Sequence, residues 1–359
     1  MRGTPKLIMT LAMTLILGAL FSACGSNASP TASGASPSAV SSPAQADGQE
    51  EAKEEEQQQS EPATRIFKDY LDREVEIPTH PKRIIVDQFM GHLLAVGVKP
   101  IAAATPQISQ FENSSFLKPL GLIEGVEDVG SPISLEKVLS LEPDLIIVQD
   151  NNAANKDTLA EYSKIAPTVV LSYGSKSMFD QLKEIADIAG VPEKADEWIA
   201  QYQEKGEQYR KQLAEVIDPD TTFTVMEFWP SSQIEIFGNL FGRGTFNLYN
   251  TLQLKAPPKV QEAVMDKEPS YLAASLETLP DYVGDYIFLT IYDWQNGDND
   301  KLAAELENAP VWRSLPAVKE GRVIQVNVDD FLPGDPISIG KQMEEQVRLL
   351  LEKFGKAAK

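Results

Sequence analysis

Aromatic and positively charged side chains follow several predicted strands of this chain. Trp229 follows one strand, Arg243 follows another, and Tyr292 and Trp294 follow a third. Aromatic faces provide a large contact area at a small entropic cost, and an arginine donates hydrogen bonds to oxygen atoms in a fixed planar geometry. Because binding residues concentrate on loops held by a rigid scaffold, the pattern indicates recognition of a ligand.

A second set of candidates lies in the first half of the chain. Segments 87–92 and 149–152 also follow short apolar runs, and the first of them contains Gln88 and Phe89. Packing against their own domain is the alternative for all of these loop side chains. The predicted ligand-binding residues are therefore Trp229, Arg243, Tyr292, Trp294, Phe89 and Gln88.

Metal-binding and catalytic side chains are few. Cys24 is the only cysteine, which excludes an intramolecular disulfide and a multi-cysteine metal site, and His80 and His92 are the only histidines. Met90 or His92 could be an axial haem ligand, but the second half of the chain has no histidine for the opposite side. No Gly-x-Ser-x-Gly elbow occurs, and no histidine follows residue 92 to activate a serine. We therefore expect no catalysis, no metal bound by the protein itself and no cofactor.

Short strands that alternate with helices must position these loops. Apolar runs rich in branched residues are too short for helices and are typical of buried strands. A two-stranded ribbon is predicted over 64–77, with its turn at 70–73. Further strands are predicted at 84–86, 145–148, 169–171, 223–228, 234–237, 287–289 and 323–326, and helices at 134–141, 192–216 and 338–354.

The helix predicted from Pro192 to Val216 is the longest. At about 1.5 Å per residue it spans roughly 35–40 Å, which is enough to cross a domain. The predicted fold class is α/β, with two α/β lobes joined by this single long helix. The predicted boundaries are 63–174 for the N-terminal lobe, 175–217 for the connecting helical region and 218–359 for the C-terminal lobe.

The net charge excludes one large class of partners. The chain has 53 acidic and 32 basic side chains and a formal net charge of -21. A protein of this charge is repelled by the phosphate backbone of nucleic acids. We therefore expect no binding to DNA or RNA.

Residues 1–24 have the layout of a secretion signal. A basic start is followed by an apolar stretch from Leu7 to Phe21, which is short for a membrane span of about 20 apolar residues. The small residues before Cys24 resemble the lipobox of bacterial lipoproteins, so we expect lipidation of Cys24 and a membrane-anchored protein on the extracytoplasmic face. An ordinary secretion signal with an incidental cysteine is the alternative. Residues 25–62 lack aromatic side chains and predict a disordered acidic tether.

Several short sequence segments of the chain resemble those of a known protein family. They are Val75–Pro78, Pro81–Ile85, Leu93–Pro100, Ser134–Ile146, Ile165–Thr168, Pro310–Trp312 and Leu315–Val323. In order and spacing they resemble the iron–siderophore and cobalamin family of periplasmic binding proteins, whose lobes are bridged by a single long helix. The resemblance spans nearly all of residues 64–355 and implies two Rossmann-like α/β lobes with a ligand cleft between them.

This resemblance implies a substrate-binding protein that captures a ferric siderophore and delivers it to the permease of an ABC importer. The siderophore would hold the iron. In the family, a glutamate on the outer top of each lobe docks into a basic pocket of the permease, and the matching Ser-Leu-Glu phrases assign this role to Glu136 and Glu277. The alternative is that each acid only complements a helix dipole, worth about 0.3–1 kcal/mol. We expect a monomer that acts with the permease subunits.

Charge narrows the ligand class. A ferric tris-catecholate carries about three negative charges and requires clustered lysines and arginines, whereas the candidate loops contain one arginine and several acids. A near-neutral ferric hydroxamate is favoured, with cobalamin or haem binding by the same fold as the alternative. An extracellular hydrolase and a sensor or adhesion lipoprotein are the alternatives from other functional classes.

The predicted binding residues can be tested by substitution. We expect Trp229→Ala or Arg243→Ala to weaken siderophore affinity while leaving thermal stability nearly unchanged.

Overall fold

The computed structural model describes residues 63–153, 156–173, 176–240, 242–267 and 269–355. The predicted signal peptide with Cys24 and the predicted tether lie outside these residues. Within them, no helix combines the length and the apolar character that a membrane span requires. The same residues contain no group of three or more His, Cys, Asp or Glu side chains placed to hold a metal ion.

A two-stranded ribbon precedes the first lobe. Strand β1 (Thr64–Lys68) pairs antiparallel with β2 (Glu74–Pro78). The buried Asp69 carboxylate holds the turn between them, because it accepts hydrogen bonds from the backbone N–H groups of Leu71 and Arg73 and from the Arg73 guanidinium. The predicted ribbon and its turn are confirmed.

The first lobe contains a five-stranded parallel sheet with the order β5-β4-β3-β6-β7. Its strands are β3 (Ile84–Val86), β4 (Ala102–Ala103), β5 (Glu127–Asp128), β6 (Leu145–Gln149) and β7 (Thr168–Leu171). Successive residues of β6 point into two separate hydrophobic clusters, with Leu145 and Ile147 in one and Ile146 and Val148 in the other. The sheet is therefore buried on both faces, as in a doubly wound α/β domain.

Six α-helices and the 3-10 helix Lys118–Leu120 accompany this sheet within the described residues. The α-helices are α1 (Met90–Ala95), α2 (Thr105–Asn113), α3 (Leu135–Ser140), α4 (Asp150–Ala153), α5 (Lys156–Ile165) and α6 (Met178–Ile188). Helix α3 matches the predicted helix over 134–141. Its capping residue is Ser134, whose hydroxyl accepts a hydrogen bond from the Lys137 backbone N–H.

The long helix α7 (Pro192–Ala214) joins the lobes. Near its start, Ala195 and Ile199 pack in one cluster with side chains of α1 and α6 from the first lobe. Farther along, Tyr202 and Leu213 belong to the core of the second lobe. Because one helix contributes to both cores, the predicted helical bridge is confirmed.

The second lobe has a mixed sheet with the order β10-β9-β8-β11-β12. Its strands are β8 (Phe223–Trp229), β9 (Gln233–Phe237), β10 (Tyr271–Ala274), β11 (Tyr286–Ile291) and β12 (Val323–Gln325). Strands β8, β11 and β12 are parallel, whereas β9 runs antiparallel to both β8 and β10. Only the 3-10 helix Pro230–Ser232 links β8 to β9, and so short a connection requires antiparallel strands.

Short helices and one long terminal helix cover this sheet. They are the π-helix Phe246–Thr251, α8 (Pro258–Ala263), the 3-10 helix Leu279–Asp281, α9 (Asn299–Asn308), α10 (Pro310–Ser314), α11 (Pro316–Lys319), α12 (Val328–Phe331) and α13 (Pro336–Gly355). On one sheet face, Phe223 and Val225 of β8 form a core with Met343 and Val347 of α13. The terminal helix predicted over 338–354 is therefore confirmed and begins slightly earlier.

The segment from α12 to the start of α13 makes a second connection between the lobes. The Asp330 carboxylate accepts hydrogen bonds from the hydroxyls of Ser114 and Ser115, both at 2.7 Å, at the end of α2 in the first lobe. The Asp335 carboxylate accepts a hydrogen bond from Gln110 Nε2 at 2.6 Å. The lobes are thus held by side-chain contacts in addition to α7.

Candidate ligand-binding site

The loops after β3, β6 and β7 meet at one edge of the first-lobe sheet, as the carboxyl ends of parallel strands must. The buried Asp87 carboxylate accepts a hydrogen bond from the Gln149 backbone N–H at 2.8 Å. The Asp150 carboxylate accepts one from the Tyr173 backbone N–H at 3.2 Å. The hydrogen bond from Gln149 to Asp87 thus brings segments 87–92 and 149–152 together.

Phe89 and Gln88, both predicted to bind ligand, are engaged by their own lobe. Phe89 is only 2% exposed, lies in the hydrophobic core and has a left-handed backbone with φ of 72°. Gln88 is half-buried, and its side-chain oxygen accepts a hydrogen bond from Gln107 Nε2 at 3.2 Å. In this structure both residues support the rim of the cleft more than they line it.

Tyr173 is the aromatic residue that the first lobe does expose at this edge. Its side chain is 55% exposed, and its ring lies 6.2 Å from that of Phe89. Loss of hydration raises the pKa of the hydroxyl; the Asp335 carboxylate raises it further and Arg243 lowers it. Since both of these charged residues belong to the second lobe, Tyr173 lies where the lobes face each other. Our sequence reasoning missed it, although it follows β7 just as Tyr292 follows β11.

The residues considered for haem ligation are buried. Met90 is fully buried and His92 nearly so, and the His92 ring packs edge-on against Phe89 at 5.6 Å. Burial lowers the pKa of His92 to about 3, so the ring is neutral at physiological pH. Neither side chain presents a ligand atom to the cleft, and His80 lies exposed beside the Gly190 carbonyl.

Glu227 is the centre of the second-lobe site. It lies on β8, is fully buried, and accepts four hydrogen bonds. Trp229 Nε1 donates at 2.6 Å, Arg243 donates through Nε and Nη2 at 2.7 Å each, and the Thr290 hydroxyl donates at 2.8 Å. This carboxylate therefore fixes two predicted ligand-binding side chains relative to each other. The sequence signal was an acid inside the otherwise apolar strand β8.

The Arg243 backbone lies at the other end of the sheet from Trp229, and only its side chain extends to Glu227. It follows β9, whose carboxyl end lies at the opposite edge of the sheet because β9 is antiparallel to β8. Its backbone is left-handed with φ of 65°, and the guanidinium passes over the Phe237 ring at 5.3 Å to reach Glu227. Arg243 therefore starts from the opposite end of the sheet from Trp229, and both side chains meet at the Glu227 carboxylate.

Tyr292 and Trp294 lie at the end of β11. Tyr292 is half-buried, and its backbone N–H donates to the Phe228 carbonyl at 3.0 Å, extending the β8–β11 pairing. Trp294 is 56% exposed. Between them, Asp293 accepts hydrogen bonds from the backbone N–H groups of Asn296 and neighbouring residues, which hold the pKa of its carboxyl below the usual range. A capped turn thus presents Trp294 to solvent.

Glu136 lies exposed in the first turn of α3, as predicted. Ser134 caps the helix, so the position of the glutamate is well defined. Leu135 and Leu139, one helical turn apart, are also exposed. An acid accompanied by apolar side chains on an open helix is the composition of a contact surface.

Glu277 lies in a similar serine-capped turn, although not in an α-helix. The Ser275 hydroxyl accepts a hydrogen bond from the Thr278 backbone N–H at 3.4 Å, the same distance as in the turn of Glu136. The turn leads into the 3-10 helix Leu279–Asp281, so the predicted helix start is corrected to a turn. The two glutamates precede β6 and β11, which occupy equivalent places beside β3 and β8.

Comparison with known proteins identifies the family. The family model described as "Periplasmic binding protein" matches residues 89–328. The iron(3+)-hydroxamate-binding protein YxeB of Bacillus subtilis is 38% identical over 280 residues, covering 78% of this chain and 83% of the relative. The iron(3+)-hydroxamate-binding protein FhuD of the same organism is 36% identical over 272 residues, covering 75% and 81%.

A solved structure gives the same result for the fold. A Bacillus subtilis protein of the FhuD fold family, a component of a Fep/Fec-like ferrichrome ABC transporter, superposes with a TM-score of 0.68 at 33% identity. The match covers 80% of this chain and 99% of that one. The chain therefore belongs to the periplasmic binding protein family, with the two-lobed architecture of the FhuD fold.

Proposed function

We propose that this protein captures a ferric hydroxamate siderophore between its two lobes and delivers it to an ABC importer. The observation that carries the proposal is the buried network in which the Glu227 carboxylate holds Trp229 and Arg243 together on the second lobe. The first lobe exposes Tyr173 at its own sheet edge. Trp229 and Tyr292 add aromatic surface, since the β8–β11 register places them on the same sheet face. The ligand class is supported by the two hydroxamate-binding relatives.

The charge of the second-lobe site supports a near-neutral complex. Glu227 matches the positive charge of Arg243, while Glu235 and Asp293 add acids to the same lobe. A ferric tris-catecholate would bring about three negative charges into this environment without enough cations to compensate them. A ferric hydroxamate requires no such compensation.

Tryptophan fluorescence titration tests the ligand class. A ferric complex at the site would lie near Trp229 and Trp294 and should quench their emission. We expect tight, saturable quenching by a ferric trihydroxamate and much weaker effects of the iron-free compound, a ferric tris-catecholate, a corrinoid and haem. Tight binding of the corrinoid or of haem would show that the protein carries cobalamin or haem instead. Failure of every ferric complex to bind would overturn the proposal.

The permease contact is part of the proposal. Glu136 and Glu277 occupy equivalent, exposed, serine-capped turns in the two lobes, which is the arrangement that a pair of docking residues requires. Complementary charge chiefly guides the encounter and fixes the orientation of two partners. Basic pockets on paired permease subunits would each accept the acid of one lobe.

Replacing both docking glutamates should separate transport from binding. We expect the double variant Glu136→Ala/Glu277→Ala to lose most uptake of the ferric complex in cells that express the permease, while its affinity in solution stays unchanged. The matched control replaces Glu112 and Glu307, one exposed glutamate from each lobe, and should transport normally. Normal uptake by the docking variant would refute the assignment.

The N-terminal residues complete the proposal at the membrane. We infer that residues 1–24 form a lipoprotein signal peptide, that Cys24 carries the lipid, and that residues 25–62 tether the folded body to the extracytoplasmic face. These residues lie outside the described structure, so their support is the sequence pattern alone. Metabolic labelling with a fatty acid should mark the wild-type protein and not Cys24→Ala; equal labelling of both would exclude this anchor.

A further inference from the structure

Two buried acids lie side by side on the second-lobe sheet. Glu227 of β8 is directly opposite Glu235 of the antiparallel strand β9. Side chains that are opposite each other in an antiparallel pair share one sheet face, with their Cβ atoms about 4.5–5.5 Å apart. The face that carries the Glu227 network therefore carries a second carboxyl group.

The two acids differ in their partners. Glu227 is ion-paired with Arg243 and accepts hydrogen bonds from Trp229 and Thr290 as well. Glu235 is only 7% exposed, and its Oε2 atom is buried without a hydrogen-bond partner. Among the described residues no hydrogen bond or ion pair involves the Glu235 side chain. The positive charge of Arg243 is balanced by Glu227, so within the described structure the Glu235 carboxyl group has no cation paired with it.

A buried carboxyl group without a partner is costly. Burial raises the pKa of Glu235, and the neighbouring Glu227 carboxylate raises it further. Native proteins satisfy nearly all buried polar atoms, and unsatisfied ones are candidates for a role in binding. A donor group supplied by a ligand would relieve both the missing hydrogen bond and the surplus negative charge.

The surroundings of Glu235 leave room for such a ligand. Ala273 of the edge strand β10 is directly opposite Glu235 and is exposed, as is its neighbour Tyr271 on the same face. Arg243, which links Glu227 to the rim, lies within electrostatic reach of Tyr173 in the opposite lobe. Glu235 therefore lies beside the proposed binding cleft.

We propose that Glu235 receives a positively charged group, specifically a primary ammonium, carried by the bound ferric hydroxamate complex. The inference rests on the proposed function and narrows the substrate class to hydroxamates with a cationic arm. An ammonium fits better than a neutral donor because it brings a positive charge to two neighbouring acids as well as a charge-assisted hydrogen bond. It also offsets the repulsion between the two acids.

The test compares two probes that share one ferric centre. The first is a linear ferric trihydroxamate with a terminal primary amine, and the second is the same complex with that amine acetylated. Their dissociation constants are measured for the wild-type protein, for Glu235→Gln and for the control Glu262→Gln, which changes an exposed glutamate on α8. Circular dichroism melting shows that each variant is folded.

We expect the wild-type protein and Glu262→Gln to bind the amine form about tenfold or more tightly than the acetylated form, the size of a hydrogen bond to a charged group. Glu235→Gln should bind both forms equally. Equal binding of the two forms by the wild-type protein would overturn the inference without any variant, as would an undiminished preference in Glu235→Gln. Failure of both forms to bind the wild-type protein would overturn the proposed function itself.

Discussion

The buried ion pair of Glu227 with Arg243 shows that the candidate ligand-binding side chains also stabilise one another. The guanidinium is bound through two nitrogens to a fully buried carboxylate that also accepts from Trp229 and Thr290. A bidentate pair of this kind fixes the direction of the arginine as well as its charge. These bonds hold the candidate side chains of the second lobe in fixed positions relative to one another.

Removing Arg243 should damage both binding and stability. Arg243→Ala leaves the Glu227 charge buried and unpaired, and breaking a buried pair in this way costs about 3–5 kcal/mol of unfolding free energy. The expectation from sequence, that stability would not change, is revised for this reason. Urea denaturation measures the loss, with the exposed Trp294→Ala as a control that should stay within about 0.5 kcal/mol of wild type. Equal stability of the two variants would show that the pair is not needed.

His92 should make the stability of the protein sensitive to mild acid. Its pKa is about 3 in the folded chain, against about 6.5 when unfolded, so the unfolded state binds more protons between these values. Stability therefore falls as the pH drops below about 6.5, by about 2 kcal/mol at pH 5 from this residue alone.

Denaturation at pH 7 and pH 5 isolates this contribution. His92→Phe should lose less stability between the two pH values than the wild-type protein, because the phenyl ring does not titrate. The matched control, His80→Phe, changes the exposed histidine and should retain the wild-type difference. An identical pH response of all three proteins would mean that His92 is not held neutral by burial.

At the scale of elements, helix α1 and the start of α13 are packed too closely for any side chain at Gly91. A Cβ atom there would lie 2.1 Å from Oδ1 of the buried Asp335, which also accepts a hydrogen bond from Gln110. This close approach between lobes is a structural reason for glycine.

A pair of helical glycines tests the packing. Gly91→Ala should destabilise the protein by about 1–3 kcal/mol, because Asp335 must move. Gly340→Ala, within α13, meets no atom within 4 Å and should stabilise by up to about 1 kcal/mol. Thermal denaturation measures the stability of both variants. An equal increase in stability for both would show that α1 and α13 are not in tight contact.

The elements differ in how readily the sequence reveals them. Strands β6 and β8 and helix α7 are predictable because long apolar or amphipathic runs define them. Strands β4 and β5 have two residues each and β10 has four, two of them alanines, so none gives a run long enough or rich enough in branched residues to predict a strand. The direction of β9 depends on its connection to β8, which a strand pattern does not encode.

The candidate site was predictable only in part, because some of its side chains are brought together by contacts between strands that are distant in the sequence. Aromatic residues after strands can be read from local order, which gave Trp229, Tyr292 and Trp294. Glu227 and Glu235 stand out locally only as acids within predicted strands; that they are neighbours becomes visible when the two strands pair, and the burial of Phe89 when the lobe packs. Local sequence thus predicts which loops contribute, and tertiary contacts decide which side chains face the ligand.

At the scale of the whole molecule, two rigid lobes are held by α7 and by the contacts of Asp330 and Asp335 with α2. These two connections limit how far the lobes can move apart. The rims that face each other carry Tyr173 on one side and Trp229 with Arg243 on the other. A chelated metal complex held between them would contact both lobes at once.

An anomalous difference map at the iron absorption edge, from crystals grown with a ferric trihydroxamate, tests this account most directly. We predict one strong iron peak in the cleft between Tyr173 and the pair formed by Trp229 and Arg243, with siderophore oxygen atoms within hydrogen-bond distance of the guanidinium. An iron peak elsewhere on the protein, or bound siderophore that touches only one lobe, would contradict it.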